Sequence, residues 1–215
     1  MLLSKVIDDL KENQILLFDI LNAKTENLMD IIKNDKKLYE HSKNVAELSY
    51  KIAKKMNFNE EDCDQIYIGA FIHDIGKLFS NNYNNKKIIN GCEKAEHAIL
   101  GDILMYLRNA NKKYKKNNKN NIVEKIVSLH HQRENICSEL CYPFNLPFNS
   151  KTMTFQIVQP ADTFDAMYRR GIYQKNFNIS EIINHFKKGI KEGLYAKEPV
   201  IELIAIINEQ VSYKD

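Results

Sequence analysis

The sequence predicts an all-α protein, and three observations support this fold class. The 215 residues include only seven glycines and four prolines, few for the turns of a many-stranded β protein. Alternation of apolar and polar residues never extends beyond four positions, whereas apolar residues recur at helical spacing along most of the chain. The length, about 1.4 typical domains, favours one domain with a small appendage.

Helical periodicity divides the chain into segments. The spacing over residues 2–32 predicts two helices, or one helix interrupted near Asn22. Asn59, followed by three acidic residues among the next four, is the predicted N-cap of a helix that ends at Gly76. The other predicted helices cover residues 38–56, 93–109, 122–132, 153–168, 179–191 and 198–211. Loops are predicted over residues 80–90, 109–121 and 133–151, which are rich in asparagine and lysine or contain two prolines.

Composition excludes several classes of protein. A net charge of +3 is too small for a dedicated binder of polymeric nucleic acid. Hydrophobic residues make up 44% of the chain, so it is not disordered throughout. No apolar stretch is long enough to span a membrane, and Asp8 and Asp9 interrupt any signal-peptide core. We therefore predict a cytoplasmic protein without a membrane partner, whose four cysteines are reduced thiols.

Histidines and acids at the ends of apolar helices point to a metal site. Asp74 directly follows His73 at the end of an apolar helix, where the local sequence offers no buried cation. Burying a carboxylate without a partner is costly, so Asp74 requires a cation or a metal ion. His130 and His131 end another apolar helix, and neighbouring helical positions differ by about 100°, so both cannot face one core.

Asp162 and Asp165 lie three residues apart and share one helical face. They are also compatible with ordinary acids in a first helical turn opened by Pro160, where the helix dipole favours them. Together with the histidines, these acids supply imidazole nitrogens and carboxylate oxygens. That mixture suits Fe, Mn or Zn better than Ca or Mg.

Five motifs carry a resemblance to a known family. His41 lies in Tyr-Glu-His-Ser-Lys-Asn-Val-Ala-Glu-Leu, and His73 and Asp74 lie in Ala-Phe-Ile-His-Asp-Ile-Gly-Lys. The other motifs are Glu-His-Ala-Ile-Leu-Gly-Asp-Ile-Leu at 96–104, His-His-Gln-Arg at 130–133 and Ile-Val-Gln-Pro-Ala-Asp-Thr-Phe-Asp-Ala-Met at 157–167. In order and spacing, over about residues 37–210, they resemble the HD superfamily of metal-dependent phosphohydrolases. The longer match is to its HD-GYP branch, the cyclic di-GMP phosphodiesterases.

The resemblance implies a fold, a cofactor and a set of site residues. Residues 37–215 would form an HD-type helical bundle, with residues 1–36 as a helical N-terminal extension. Two divalent transition metals would be bound, with Fe or Mn favoured over Zn. The first metal would be held by His41, His73, Asp74 and Asp162. Asp74 would bridge to the second metal, whose other ligands would be His97, His130 and His131. The candidates for binding substrate phosphate are Lys77, which would also take part in catalysis with Asp74, and Arg133, Arg169 and Arg170.

Departures from the family pattern concern a third metal and the substrate. Lys37 stands where trinuclear members have a glutamate ligand, so we expect two metals at most. The Gly-Tyr-Pro signature reads Cys-Tyr-Pro at 141–143, and the Arg-Pro-Tyr element is altered over residues 169–173. The resemblance therefore supports the metal chemistry of this chain better than it supports a particular substrate.

Three functions stay open at this point. The first is a dinuclear phosphodiesterase acting on cyclic di-GMP or a related cyclic dinucleotide. The second is an HD phosphohydrolase acting on another nucleotide or phosphoester, and the third is a non-catalytic metal- and nucleotide-binding signalling module. The N-terminal helices are suited either to covering the core or to pairing with a second copy, so a homo-oligomer is one expectation.

Four further residues receive structural predictions. Asp165 is expected to orient a metal ligand or to cap a helix. Phe155 and Phe164 are expected in the core rather than as platforms for a nucleobase. His185 lies outside the motifs and is expected on the surface.

Overall fold

The computed structural model describes residues 8–79, 96–110, 122–131, 154–168 and 177–212. Every regular element in these ranges is helical, which confirms the all-α prediction. Residues 8–12 form a helical stretch at the start of the first range. The helices that follow are α1 (Gln14–Asn22), α2 (Leu28–Ile32), α3 (Lys36–Lys55), α4 (Glu60–Ile72), α5 (Glu96–Ala110), α6 (Ile122–Leu129), α7 (Thr154–Tyr168), α8 (Ile179–Lys191) and α9 (Lys197–Ser212). A 3₁₀ helix, Ile75–Phe79, lies between α4 and α5.

Local sequence signals account for several helix ends. α1 ends at Asn22, so the predicted break is confirmed. Asn59 caps α4, because its side-chain oxygen accepts a hydrogen bond from the Asp62 N–H at 2.8 Å. Asn178 caps α8 with a capping box completed by Glu181. The predicted loops at 80–90 and 133–151 lie outside the described residues, as does 111–121, while α5 extends to Ala110.

The predicted end of α4 at Gly76 is wrong. α4 ends at Ile72, and Gly76 lies inside the following 3₁₀ helix. A Cβ atom on Gly76 would lie 2.0 Å from the backbone oxygen of His97, in the first turn of α5. Glycine is present here because the two backbones approach too closely for any side chain, not because it stops a helix.

The core is built around the helices α3 and α4, which pack extensively on each other. α7 packs on α3, α6 packs on α4, and α5 packs on both α6 and the 3₁₀ helix. The core contains fully buried aliphatic and aromatic side chains, and it includes Phe155 and Phe164 as predicted. This arrangement brings the ends of α4 and α6, the start of α5 and the middle of α7 to one region.

The N-terminal helices cover part of this core. Ile20, Leu28 and Ile32 are fully buried. The buried guanidinium of Arg108, on α5, donates hydrogen bonds to the backbone oxygens of Ile20 and Ala23 at the end of α1. The described part of the extension therefore packs on the bundle, which is one of its two predicted roles. None of the helices in the described ranges has the length and apolar composition needed to cross a membrane.

Candidate metal centre

Two groups of potential metal ligands converge at the centre of the bundle. The first ligand group consists of His41 on α3, His73 directly after α4, and Asp162 on α7. Its closest approach is 3.1 Å, between His41 Nε2 and Asp162 Oδ1, and His73 Nε2 lies 3.9 Å from the same oxygen. Helices distant in the chain thus place two imidazoles and a carboxylate around one point.

The second ligand group consists of Asp74, His97, His130 and His131. His97 lies in the first turn of α5, and the two adjacent histidines follow the last turn of α6. The Nε2 atoms of His97 and His131 are 2.9 Å apart. Because α6 ends at Leu129, the side chains of His130 and His131 are not held 100° apart around a helix axis. Both therefore reach the same centre.

Asp74 faces both ligand groups with different oxygen atoms. Its Oδ2 lies 3.4 Å from His41 Nε2 and 3.3 Å from His73 Nε2. Its Oδ1 lies 3.2 Å from His97 Nε2 and 3.8 Å from His130 Nε2. One buried carboxylate therefore lies between the two groups, with one oxygen directed to each.

The buried imidazole nitrogens fit a metal ion. Among the described residues, the Nε2 atoms of His41, His73 and His130 are buried without a hydrogen-bond partner. Leaving such polar atoms unsatisfied is costly, so a ligand for them is expected. Their lone pairs, together with the carboxylate oxygens of Asp74 and Asp162, form the donor set preferred by Fe, Mn or Zn.

Hydrogen bonds on the far side of each ring set the tautomer. His41 Nδ1 donates to Asp165 Oδ2 at 2.8 Å. His73 Nδ1 donates to the Ala70 oxygen at 2.7 Å, and His130 Nδ1 donates to the Val127 oxygen at 2.9 Å. Because carbonyl and carboxylate oxygens can only accept, each of these rings, in its neutral form, directs its Nε2 lone pair into the centre. Asp165 thus orients the ring of His41, a potential ligand, which agrees with one of its two predicted roles.

Burial and charge determine the protonation of the site. Burial lowers the pKa of His97 and of His130 to about 3, and it lowers that of His131 well below its usual value. Burial opposes ionisation of Asp74, but the charges of His73 and Lys77 outweigh it and lower the Asp74 pKa. Burial likewise opposes a charged His73, but Asp74 raises the His73 pKa. At neutral pH the second ligand group therefore presents neutral imidazoles and an ionised carboxylate.

Differences in exposure show the open side of the centre. His41, His73 and His130 are buried and form its floor. The side chains of Asp162, Lys77 and His97 are 26%, 22% and 13% exposed. Among the described residues, these three are the more exposed members of the centre and form its rim. The Lys77 ammonium contacts Asp74 Oδ2.

Some residues considered in the sequence analysis do not belong to the two ligand groups. Arg133, Arg169 and Arg170 lie outside the described residues. Lys37 is exposed in the first turn of α3, one turn before His41. The prediction for His185 is wrong, because the residue is half-buried and its Nε2 lies 3.1 Å from the hydroxyl of Tyr195. Sequence reasoning also missed the role of Gly76, since a close backbone approach between distant segments leaves no local signal.

Comparison with known proteins identifies the class of this chain. The sequence profile of the HD domain family matches residues 38–167, which is more than half of the chain, and the chain belongs to this family. This confirms the predicted superfamily and agrees with the predicted class of metal-dependent phosphohydrolases.

One curated relative is a 3'3'-cGAMP-specific phosphodiesterase 1 from Vibrio cholerae serotype O1. The two sequences are 23% identical over 155 residues, which cover 72% of this chain and 34% of the relative. The chain therefore spans about a third of the length of that relative.

Proposed function

We propose that the protein is a metal-dependent phosphodiesterase whose substrate is a cyclic dinucleotide. The observation that carries the proposal is the position of Asp74 between two ligand groups, one oxygen towards each. That arrangement suits two divalent ions, and the family resemblance favours Fe or Mn over Zn. Family membership supports phosphoester hydrolysis as the chemistry.

In this proposal the side chains of the two ligand groups hold the metal ions. His41, His73, Asp74 and Asp162 hold one ion, and Asp74 with His97, His130 and His131 holds the other. Such a pair of ions supplies Lewis acidity at the phosphoryl group and a lowered pKa for the attacking water. The buried floor excludes bulk water, which strengthens electrostatic interactions at the centre.

Lys77 is the phosphate-binding residue in this proposal. It lies on the open rim and its flexible stem carries a positive charge beside Asp74. A lysine ammonium can pair with a phosphoryl oxygen as a point charge, without fixed geometry. Arg133, Arg169 and Arg170 are the further proposed phosphate contacts, from the sequence alone.

The choice of a cyclic dinucleotide rests on two supports. The motifs resemble those of the HD-GYP branch, and the printed name of the Vibrio cholerae relative specifies 3'3'-cGAMP. Both cyclic di-GMP and 3'3'-cGAMP carry phosphodiester bonds between nucleosides, so the same chemistry would serve either. The altered Gly-Tyr-Pro and Arg-Pro-Tyr segments make the order of preference between them an experimental question.

The test uses the full chain loaded with Mn or, under anaerobic conditions, with Fe. Cyclic di-GMP and 3'3'-cGAMP are incubated separately, and linear dinucleotide and mononucleotide products are followed by chromatography. The variant Asp74→Ala is expected to abolish hydrolysis. Asp64→Ala is the matched control, because Asp64 is an exposed aspartate on α4, the helix that precedes Asp74.

Three results are distinguishable. Hydrolysis that Asp74→Ala removes and Asp64→Ala retains supports the proposal. Turnover of other phosphoesters, with both cyclic dinucleotides left intact, would retain the phosphohydrolase and reject the substrate. Metal binding without turnover of any phosphoester would reject the enzyme and favour a binding module.

A further inference from the structure

The two ligand groups differ in charge. The first ligand group contains a carboxylate of its own, Asp162, in addition to the oxygen it receives from Asp74. The second ligand group shares Asp74 but otherwise consists of three imidazoles, which bring no negative charge of their own. A divalent cation therefore meets more negative charge in the first group than in the second.

The partners behind the ligands increase this difference. His41 donates through Nδ1 to the carboxylate of Asp165, which is buried on α7. His130, in the second group, donates through Nδ1 to a neutral backbone oxygen, that of Val127. A carboxylate partner makes an imidazole more basic and a better metal ligand.

The ligand atoms of the two groups also differ in their hydrogen bonding before a metal ion binds. In the first group, the Nε2 atoms of His41 and His73 are both buried without a hydrogen-bond partner. In the second group, His97 Nε2 and His131 Nε2 are 2.9 Å apart, so one ring can donate its proton to the other. Both groups contain an unsatisfied nitrogen, since His130 Nε2 in the second group also lacks a partner, but a metal ion in the second group must in addition break the hydrogen bond between His97 and His131.

We propose that the two groups load in a fixed order and that the second ion regulates the enzyme. The first ligand group binds its ion tightly, and the second binds at least about tenfold more weakly, a difference within the range produced by ligand partners alone. This inference rests on the proposed function in one respect: hydrolysis requires both ions. Activity then follows the available concentration of the weaker ion, so the supply of divalent transition metal controls turnover.

The direct test is titration of the metal-free full chain with Mn²⁺. Calorimetry is expected to resolve two binding events whose dissociation constants differ tenfold or more. Electron paramagnetic resonance is expected to show an isolated Mn²⁺ ion at one equivalent and a spin-coupled pair at two. A coupled pair at one equivalent, or two ions bound with equal affinity, would overturn the order.

Two variants assign the events to the groups. His131→Gln is expected to remove the weak event and leave the tight event within about twofold. Asp162→Asn is expected to weaken the tight event at least about tenfold, because it removes the carboxylate that distinguishes the first group. Circular dichroism verifies the fold of both variants, and if His131→Gln does not fold, His97→Gln tests the same group. Loss of the tight event in a folded second-group variant would contradict the assignment.

These measurements need no substrate, so the two proposals can fail separately. Two resolved binding events without hydrolysis at full loading would reject the proposed function and retain the loading order. Full hydrolysis at one equivalent of Mn²⁺ would reject the regulatory role of the second ion while leaving phosphodiesterase activity in place.

Discussion

The two halves of the candidate metal centre are positioned in different ways. The first half, made by α3, α4 and α7, relies on side-chain hydrogen bonds: Asp35 caps α3, Asn59 caps α4, and Asp165 orients His41. The second half, made by the 3₁₀ helix, α5 and α6, is packed closely at two glycines. A Cβ on Gly76 would lie 2.0 Å from the His97 oxygen, and one on Gly101 would lie 2.9 Å from Val127 Cγ1.

This difference shows two solutions to one problem. A ligand can be oriented by a polar partner, which is specific but costs desolvation, or by fitting its backbone against another segment. Polar positioning tolerates some loss of local stability, because each hydrogen bond contributes modestly. Backbone positioning tolerates no added atom, since a core packed at crystal density cannot give way without strain.

The largest effect is expected at Asp74, the residue that the two halves of the centre share. Asp74→Asn removes the negative charge that both ligand groups share and is nearly isosteric with the native residue. We expect loss of both bound ions and at least about a thousandfold loss of hydrolysis, because the metals supply several kcal/mol of transition-state stabilisation. Metal content by mass spectrometry and turnover measure this. Retention of two ions would show that the halves do not depend on Asp74.

Gly76→Ala tests the backbone-positioned half. The added methyl group must displace the α5 backbone at His97, at an expected cost of about 3 kcal/mol in the free energy of unfolding. Urea denaturation measures the loss, and Mn²⁺ titration is expected to show a weaker second event. Wild-type stability together with two unchanged binding events would contradict the close approach.

Arg108→Met tests the attachment of α5 to the N-terminal helices. The substitution keeps much of the apolar stem and removes charged hydrogen bonds to the backbone oxygens of Ile20 and Ala23. We expect a loss of about 2 kcal/mol. Hydrogen exchange should accelerate over residues 14–25 more than over α3. An equal acceleration in both regions would show that the N-terminal helices have no separate attachment.

Asn59→Ala tests how far the polar half tolerates a local loss. Removing this cap is expected to cost about 1 kcal/mol in urea denaturation without reducing bound metal, since Asp74 lies at the other end of α4. Asn178→Ala is the matched control, because it removes an equivalent cap from α8, which bears none of the proposed ligands. A drop in metal content in Asn59→Ala alone would show that the cap positions the ligands.

Features that depend on neighbouring residues were predicted better from the sequence than features that depend on residues distant in the chain. Helix α8 was predicted at residues 179–191, as observed, because its apolar spacing is a local signal. The Asn59 cap and the break at Asn22 were predicted for the same reason. His185 was misassigned because its partner Tyr195 comes from the chain after α8 and only the folded contact buries it.

The sequence by itself determined the helices and the chemistry of the candidate centre: which side chains offer nitrogen and oxygen, and that Asp74 needs a cation. The reason is that helical periodicity, caps and the cost of an unpaired buried carboxylate are properties of neighbouring residues. Only the tertiary structure decided which Asp74 oxygen faces which ligand group, that Asp165 orients His41, and that Gly76 lies against His97. These are contacts between segments far apart in the chain, whose geometry exists only once the helices pack.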